Sequence, residues 1–190
     1  MAEGDYVIRV LGSPLELDGA AWDALLDSQT APTPFMRHAY LAALHTSGCA
    51  SPATGWSPHF ITIASHGELV AACPLYTKTH SYGEYVFDWA WASAYAQHGV
   101  AYYPKAVVAI PFTPVPGTRL LARTPQARAA LVGALVQWCK QNFALTRKHA
   151  VPILEWLDRI GITRRIGDRR VAGGQRTLAV PLLGHPGKSG

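Results

Sequence analysis

His80, Glu84 and Asp88 stand four residues apart in the segment HSYGEYVFD, a spacing that stacks side chains on one face of a helix. A carboxylate beside an imidazole is the usual equipment for taking a proton from an amine. Ser81, Tyr82 and Gly83 argue against a helix at this point, so the sequence supplies the groups without fixing their geometry. Asp88 is the sharpest of the three. It lies between Phe87 and Trp89, where a carboxylate must be hydrogen-bonded or shifted in pKa. That setting suits proton transfer, and it equally suits a structural bond to backbone amides.

The surrounding stretch, Pro74 to Gly117, interleaves aromatic rings with single polar groups. As the wall of a cleft it would offer Tyr82, Trp89, Trp91, Tyr103 and Lys105 to a substrate, with large apolar faces excluding water and few polar groups orienting the ligand. The same mixture fits an aromatic core with satisfied polar edges. His38, His45, His59, His66 and His98 have no metal-like spacing, and no metal site is expected.

A second constellation lies near the C-terminus. Arg164, Arg165, Arg169 and Arg170 flank one turn, and Arg147 and Lys148 precede them. Such a cluster neutralises phosphates with strong salt dependence and little base discrimination. The charge balance divides accordingly: residues 1–144 carry eight Lys/Arg against nine Asp/Glu, and residues 145–190 carry nine against three. Two pieces with different partners are expected.

Several classes are excluded. At 190 residues, 49% hydrophobic and 15% charged, the chain buries a core. No apolar run reaches the ~18 residues of a membrane helix, and MAEGDYVIRV has no secretory pattern, so a cytoplasmic protein without a membrane partner is expected. Cys49, Cys73 and Cys139 lack CxxC spacing and read as reduced, buried thiols.

The elements that must position these groups follow from local signals. Tyr6 to Leu11 reads as a strand. Asp18 caps a helix over Ala21 to Ser28, with Trp22, Leu25 and Leu26 on one face, and Arg37 to Ser47 forms a second helix. His59 to Ser65 and Glu68 to Tyr76, joined by His66-Gly67, read as a hairpin. Trp89 to Gln97 suits a short helix, and Ala106 to Ile110 a buried strand. Thr124 and Pro125 open the strongest helix, with Leu131, Leu135 and Trp138 inward. Val151 to Ile160 would bury Ile153, Leu154, Leu157 and Ile160. Ile162 to Ile166 and Arg169 to Val171 form a hairpin about Gly167-Asp168.

The run HSYGEYVFDWAWASAYAQHGVAYYPKAVVAIPFTPVPGTRLL, with PFMRHAYLAALHTSGCASPATGWSPHFI and GELVAACPLYTKTHSYGEYVFDW before it, resembles the FemAB-like N-acyltransferase proteins of the GNAT superfamily. The resemblance covers residues 1–142. TRKHAVPILEWLDRIGITRRIGDRRV resembles the last helix and wing of the C-terminal winged-helix module of selenocysteine-specific elongation factors. The first resemblance implies an α/β (α+β) fold, an incomplete GNAT-like half domain with a mixed, largely antiparallel sheet. The second adds a partial winged-helix helix and basic hairpin over residues 143–172, before a tail over residues 173–190.

The implied function is transfer of an acyl or aminoacyl group, from acyl-CoA or aminoacyl-tRNA, to a small-molecule or peptide amine. Asp88, Glu84 and His80 would assist the proton transfer. The alternative is RNA binding through Arg147, Lys148, Arg164, Arg165, Arg169 and Arg170. Neither the string Arg170 to Gln175 nor HPGKS completes a phosphate-cradling motif. Both resemblances stop short of a whole domain, so a chimeric or truncated gene, an inactive enzyme and self-association through exposed edges are further expectations.

Overall fold

The computed structural model describes residues 5–85, 88–99 and 101–143, together with the backbone of 163–166 and 169–172. Arg147, Lys148, the apolar 151–160 segment, the Gly167-Asp168 turn and the tail lie outside the described residues.

Strand β1 (Tyr6–Leu11) is followed by helix α1 (Gly19–Asp27) and helix α2 (His38–Thr46). The long strands β2 (Trp56–Ser65) and β3 (Glu68–Lys78) come next, then helix α3 (Trp89–Gln97) and the short strands β4 (Lys105–Val107) and β5 (Leu121–Ala122). Helix α4 (Pro125–Asn142) closes the main body, and β6 (Thr163–Ile166) pairs with β7 (Arg169–Ala172) in a separate hairpin. The five-stranded sheet runs β1-β2-β3-β4, with β5 also on β3. All its pairings are antiparallel, so the expected mixture of directions resolves to one. The architecture is α+β.

Local chemistry explains most of these elements. The Asp18 carboxylate accepts from the Ala20 and Ala21 amides at 3.0 Å, and Thr124 Oγ1 accepts from the Ala127 amide at 3.1 Å. Each satisfies donors that a helix start leaves open. His66 (φ 51°) and Gly67 (φ 84°) are both left-handed, the geometry whose twist matches a two-residue hairpin.

Strands β2 and β3 read as nearly continuous apolar runs because both faces of the sheet are covered. Phe60, Ala72 and Tyr76 point towards α1 and α2, into a core with Trp22, Leu25, Met36 and Leu41. Ile61, Ile63, Ala71, Cys73 and Leu75 point the other way, onto Ala127, Leu131 and Trp138 of α4. Trp22 Nε1 donates to the Met36 carbonyl at 2.7 Å, so the indole brings its own polar group into the core satisfied. Gln29 bonds both backbone groups of Ala122 at 3.3 Å and ties the end of α1 to β5.

Three sequence expectations are corrected. The strand expected over Ala106 to Ile110 is only Lys105–Val107, because Pro111 and the residues before it leave the sheet early. The hairpin strand expected to end at Tyr76 continues to Lys78, which pairs with both Trp56 and Lys105. Of the three thiols only Cys73 is buried; Cys139 is half-buried and Cys49 is exposed. Among the described residues no helix is long and apolar enough to cross a membrane.

Candidate active site

The site is built where β3 ends. Lys78 follows Tyr76 by two residues, so it stands on the same face as the aromatic core. Register places it directly opposite Trp56 on one side and Lys105 on the other. Its ammonium is fully buried, 3.6 Å from the centre of the Trp56 ring, and donates to the Tyr82 carbonyl at 2.9 Å. Two lysines facing each other across a sheet repel. The turn after β3 supplies the remedy: Glu84 lies 2.7 Å from Lys105 Nζ and 4.0 Å from Lys78 Nζ.

Asp88 completes the cluster. It occupies the position before α3, yet its side chain caps no amide. Lys105 Nζ, Ser81 Oγ (2.7 Å) and Tyr102 OH (2.9 Å) all donate to Asp88 Oδ2. Ser81 Oγ is also 2.7 Å from Tyr103 OH and accepts from Lys105 at 2.9 Å. Burial pushes the Asp88 carboxyl up, but the bonds from Lys105, Ser81 and Tyr102 outweigh it and hold the group down at about 2. Burial lowers the Lys78 ammonium to about 8, against the pull of Glu84. Lys105 goes the other way: burial lowers it, and Asp88 and Glu84 raise it further. Among the described residues Asp88 Oδ1 and Glu84 Oε1 are buried without a hydrogen-bond partner, with Oε1 facing Lys78 Nζ at 4.0 Å.

Two clefts open in front of this cluster. One, of about 350 Å³, is lined by Ser81, Tyr82, Tyr85, Trp89 and Tyr103 together with His80. The other, of about 400 Å³, is lined by Leu44, Cys49, Trp56 and Phe112 together with His80 and Tyr82, almost wholly as apolar surface. His80 and Tyr82 are common to both. His80 Nδ1 accepts from the Tyr82 amide at 3.2 Å, and the imidazole packs so closely on Gly55 that a β-carbon there would collide with Nε2. Gly83 (φ 80°) likewise packs on the Phe112 ring, and its carbonyl accepts from the Phe112 amide at 2.9 Å.

The sequence candidates therefore separate. Glu84 and Asp88 meet through Lys105, whereas His80 faces the clefts and bonds Tyr82, so the four-residue spacing does not make a helical triad. Tyr82, Trp89 and Tyr103 line a cleft, and Lys105 lies behind it in the ion cluster. Trp91 is 66% exposed on α3 and lines neither cleft. Lys78, Ser81 and Tyr102 were missed as members. Lys78 carried a usable signal, since a charged residue two places after Tyr76 falls on the buried face of a strand. Of the basic cluster, Arg164 and Arg165 fall on β6 and Arg169 and Arg170 on β7, with Arg165 paired to Arg170.

No curated protein and no solved structure matches the chain. The FemAB-like family, described as peptidoglycan biosynthesis/recognition, matches residues 13–157. That span holds every residue of both clefts and of the ion cluster, and the chain belongs to the FemAB-like family.

Proposed function

We propose that the protein transfers an acyl or aminoacyl group to an amine carried by a peptidoglycan precursor, a reading supported by the family's description as peptidoglycan biosynthesis/recognition. The observation that carries this reading is the pair of clefts meeting at His80 and Tyr82, with buried carboxylates behind the polar one. The acceptor nitrogen enters the polar cleft between aromatic walls. There it meets the Tyr103 hydroxyl, which bonds Ser81 Oγ, itself donating to Asp88.

Magnitudes divide the roles. A carboxyl held at about 2 is too weak a base to take a proton from an amine near neutrality. Asp88 is thus the fixed negative charge that orients hydroxyls, and together with Glu84 it balances Lys78 and Lys105. His80 lies where the two clefts meet, with its Nδ1 accepting a 3.2 Å bond from the Tyr82 amide, and an imidazole is the most common general base.

In the reaction the amine nitrogen attacks the donor carbonyl carbon and a C–N bond forms. His80 takes the amine proton on Nδ1, releasing its bond from the Tyr82 amide, the bond from the carbonyl carbon to the donor sulfur or oxygen breaks, and the proton passes to that leaving atom. The test is amide formation from a panel of activated acyl and aminoacyl donors with a lysine-containing peptidoglycan stem peptide, followed by mass spectrometry. His80→Ala should lower the rate about 100-fold or more. Equal rates with and without the imidazole would remove His80 from the chemistry, and no product from any donor would overturn the reading.

A further inference from the structure

We infer that the apolar cleft beside His80 is an acyl-chain site, and that the group transferred is an unsubstituted aliphatic acyl group instead of an aminoacyl group. The inference rests on the proposed transferase reading and narrows its donor.

The chemistry of the lining carries it. An aminoacyl donor holds an ammonium on the carbon next to the reacting carbonyl, and a charge taken out of water needs a partner. Leu44, Trp56 and Phe112 provide apolar surface, and among the described residues no Asp or Glu lines the cleft. The carboxylates of this region, Glu84 and Asp88, belong to the ion cluster behind the other cleft. With His80 and Tyr82 at the junction, a carbonyl placed there would direct its chain into the apolar cleft and receive the amine from the polar one. Phe112 is fixed as the far wall by its tilted contact with Trp56, at 5.7 Å between ring centres, and by the glycine packed beneath it. The volume of about 400 Å³ lies in the range of small-molecule sites.

Cys49 supplies a built-in reporter. Its thiol lines this cleft and is exposed, whereas Cys73 is buried with its pKa pushed up by burial and Cys139 is half-buried and raised likewise. Maleimide should therefore label Cys49 first. Unreactive carboxamides serve as probes: butanamide, hexanamide and octanamide, with 2-aminohexanamide as the partner that differs from hexanamide only by an α-ammonium.

Protection of Cys49 should strengthen by about fourfold per added methylene, which corresponds to about 0.8 kcal/mol. 2-Aminohexanamide should protect at least tenfold less well than hexanamide. Cys49→Trp, which fills the cleft from its exposed side, should abolish the thermal shift given by octanamide. Should that variant fail to fold, the labelling of the unaltered chain decides. Absence of protection by octanamide, or equal protection by the two six-carbon amides, overturns the inference. The transferase reading fails separately: graded protection without any amide product would leave the cleft standing and remove the reaction. Product formed only from aminoacyl donors would do the reverse.

Discussion

At the residue scale, burying two lysines against two carboxylates produces opposed shifts with testable signs. Asp88 sits at about 2 in the folded chain, below its ordinary 3.8. Its stabilising contribution is complete above 3.8 and is lost as pH falls from there towards 2, because the unfolded chain then binds more protons. Lys78, lowered from 10.5 to about 8, behaves differently. Between those values the unfolded chain keeps a proton that the folded chain has released, so this group makes stability rise with pH. Urea midpoints of wild type, Asp88→Asn and Lys78→Met measured from pH 2 to 10.5 should therefore show pH-dependent differences at opposite ends of the range. The Asp88→Asn deficit should shrink below pH 3.8. Wild type should gain on Lys78→Met above pH 8. A pH-independent difference in either pair would show that the group does not titrate as its surroundings require.

At the scale of elements, the turn between β3 and α3 carries the site, and the placing of His80 depends on a glycine outside the reacting groups. Gly55 (φ 74°) ends a short helical turn over Pro52–Thr54 and leaves the space that the His80 ring fills. Alanine there is strained by the left-handed backbone and collides with the imidazole. Gly55→Ala should lower turnover about tenfold or more by displacing His80, on the scale set by small misplacements of catalytic groups. His80→Ala in the same background should add little further loss, because the two changes act through one group. Additive losses in the double variant would separate Gly55 from His80.

The same turn marks how far the sequence could be read. Asp18, His66-Gly67 and Thr124-Pro125 were legible because caps and tight turns are decided within four residues. Glu84 and Asp88 were legible as candidates because carboxylates among aromatics are conspicuous. Their partner Lys105 was read only as a substrate contact. Its place opposite Lys78 depends on β3 pairing with β4 across twenty-six intervening residues, which no local pattern encodes. Asp88 was expected to be satisfied by backbone amides if it was structural, and side chains from three separated positions hold it instead.

At the scale of the whole molecule, the sheet is covered unequally, and this bears on the expected self-association. Helices α1 and α2 lie on one face and α4 on the other, but α4 packs over β2 and β3. Strand β1 is an edge of the described sheet, and its Val7, Ile8 and Val10 are 49%, 51% and 45% exposed. Ile8 pairs with Ile63 and Val10 with Ile61, so both lie on the α4 side of the sheet, beyond the reach of that helix. Unpaired edge amides beside exposed β-branched residues form a template for another strand. The full chain should therefore associate with rising concentration in analytical ultracentrifugation. Ile8→Lys with Val10→Lys should weaken that association while shifting Tm little, since both side chains are already half in water and surface changes usually cost within about 0.5 kcal/mol each. Charged residues on an edge strand are the common protection against such pairing. A double-lysine variant that associates as strongly as wild type would place the contact elsewhere on the molecule. One that loses several kcal/mol would mean that β1 is packed in solution by something the exposed strand does not reveal.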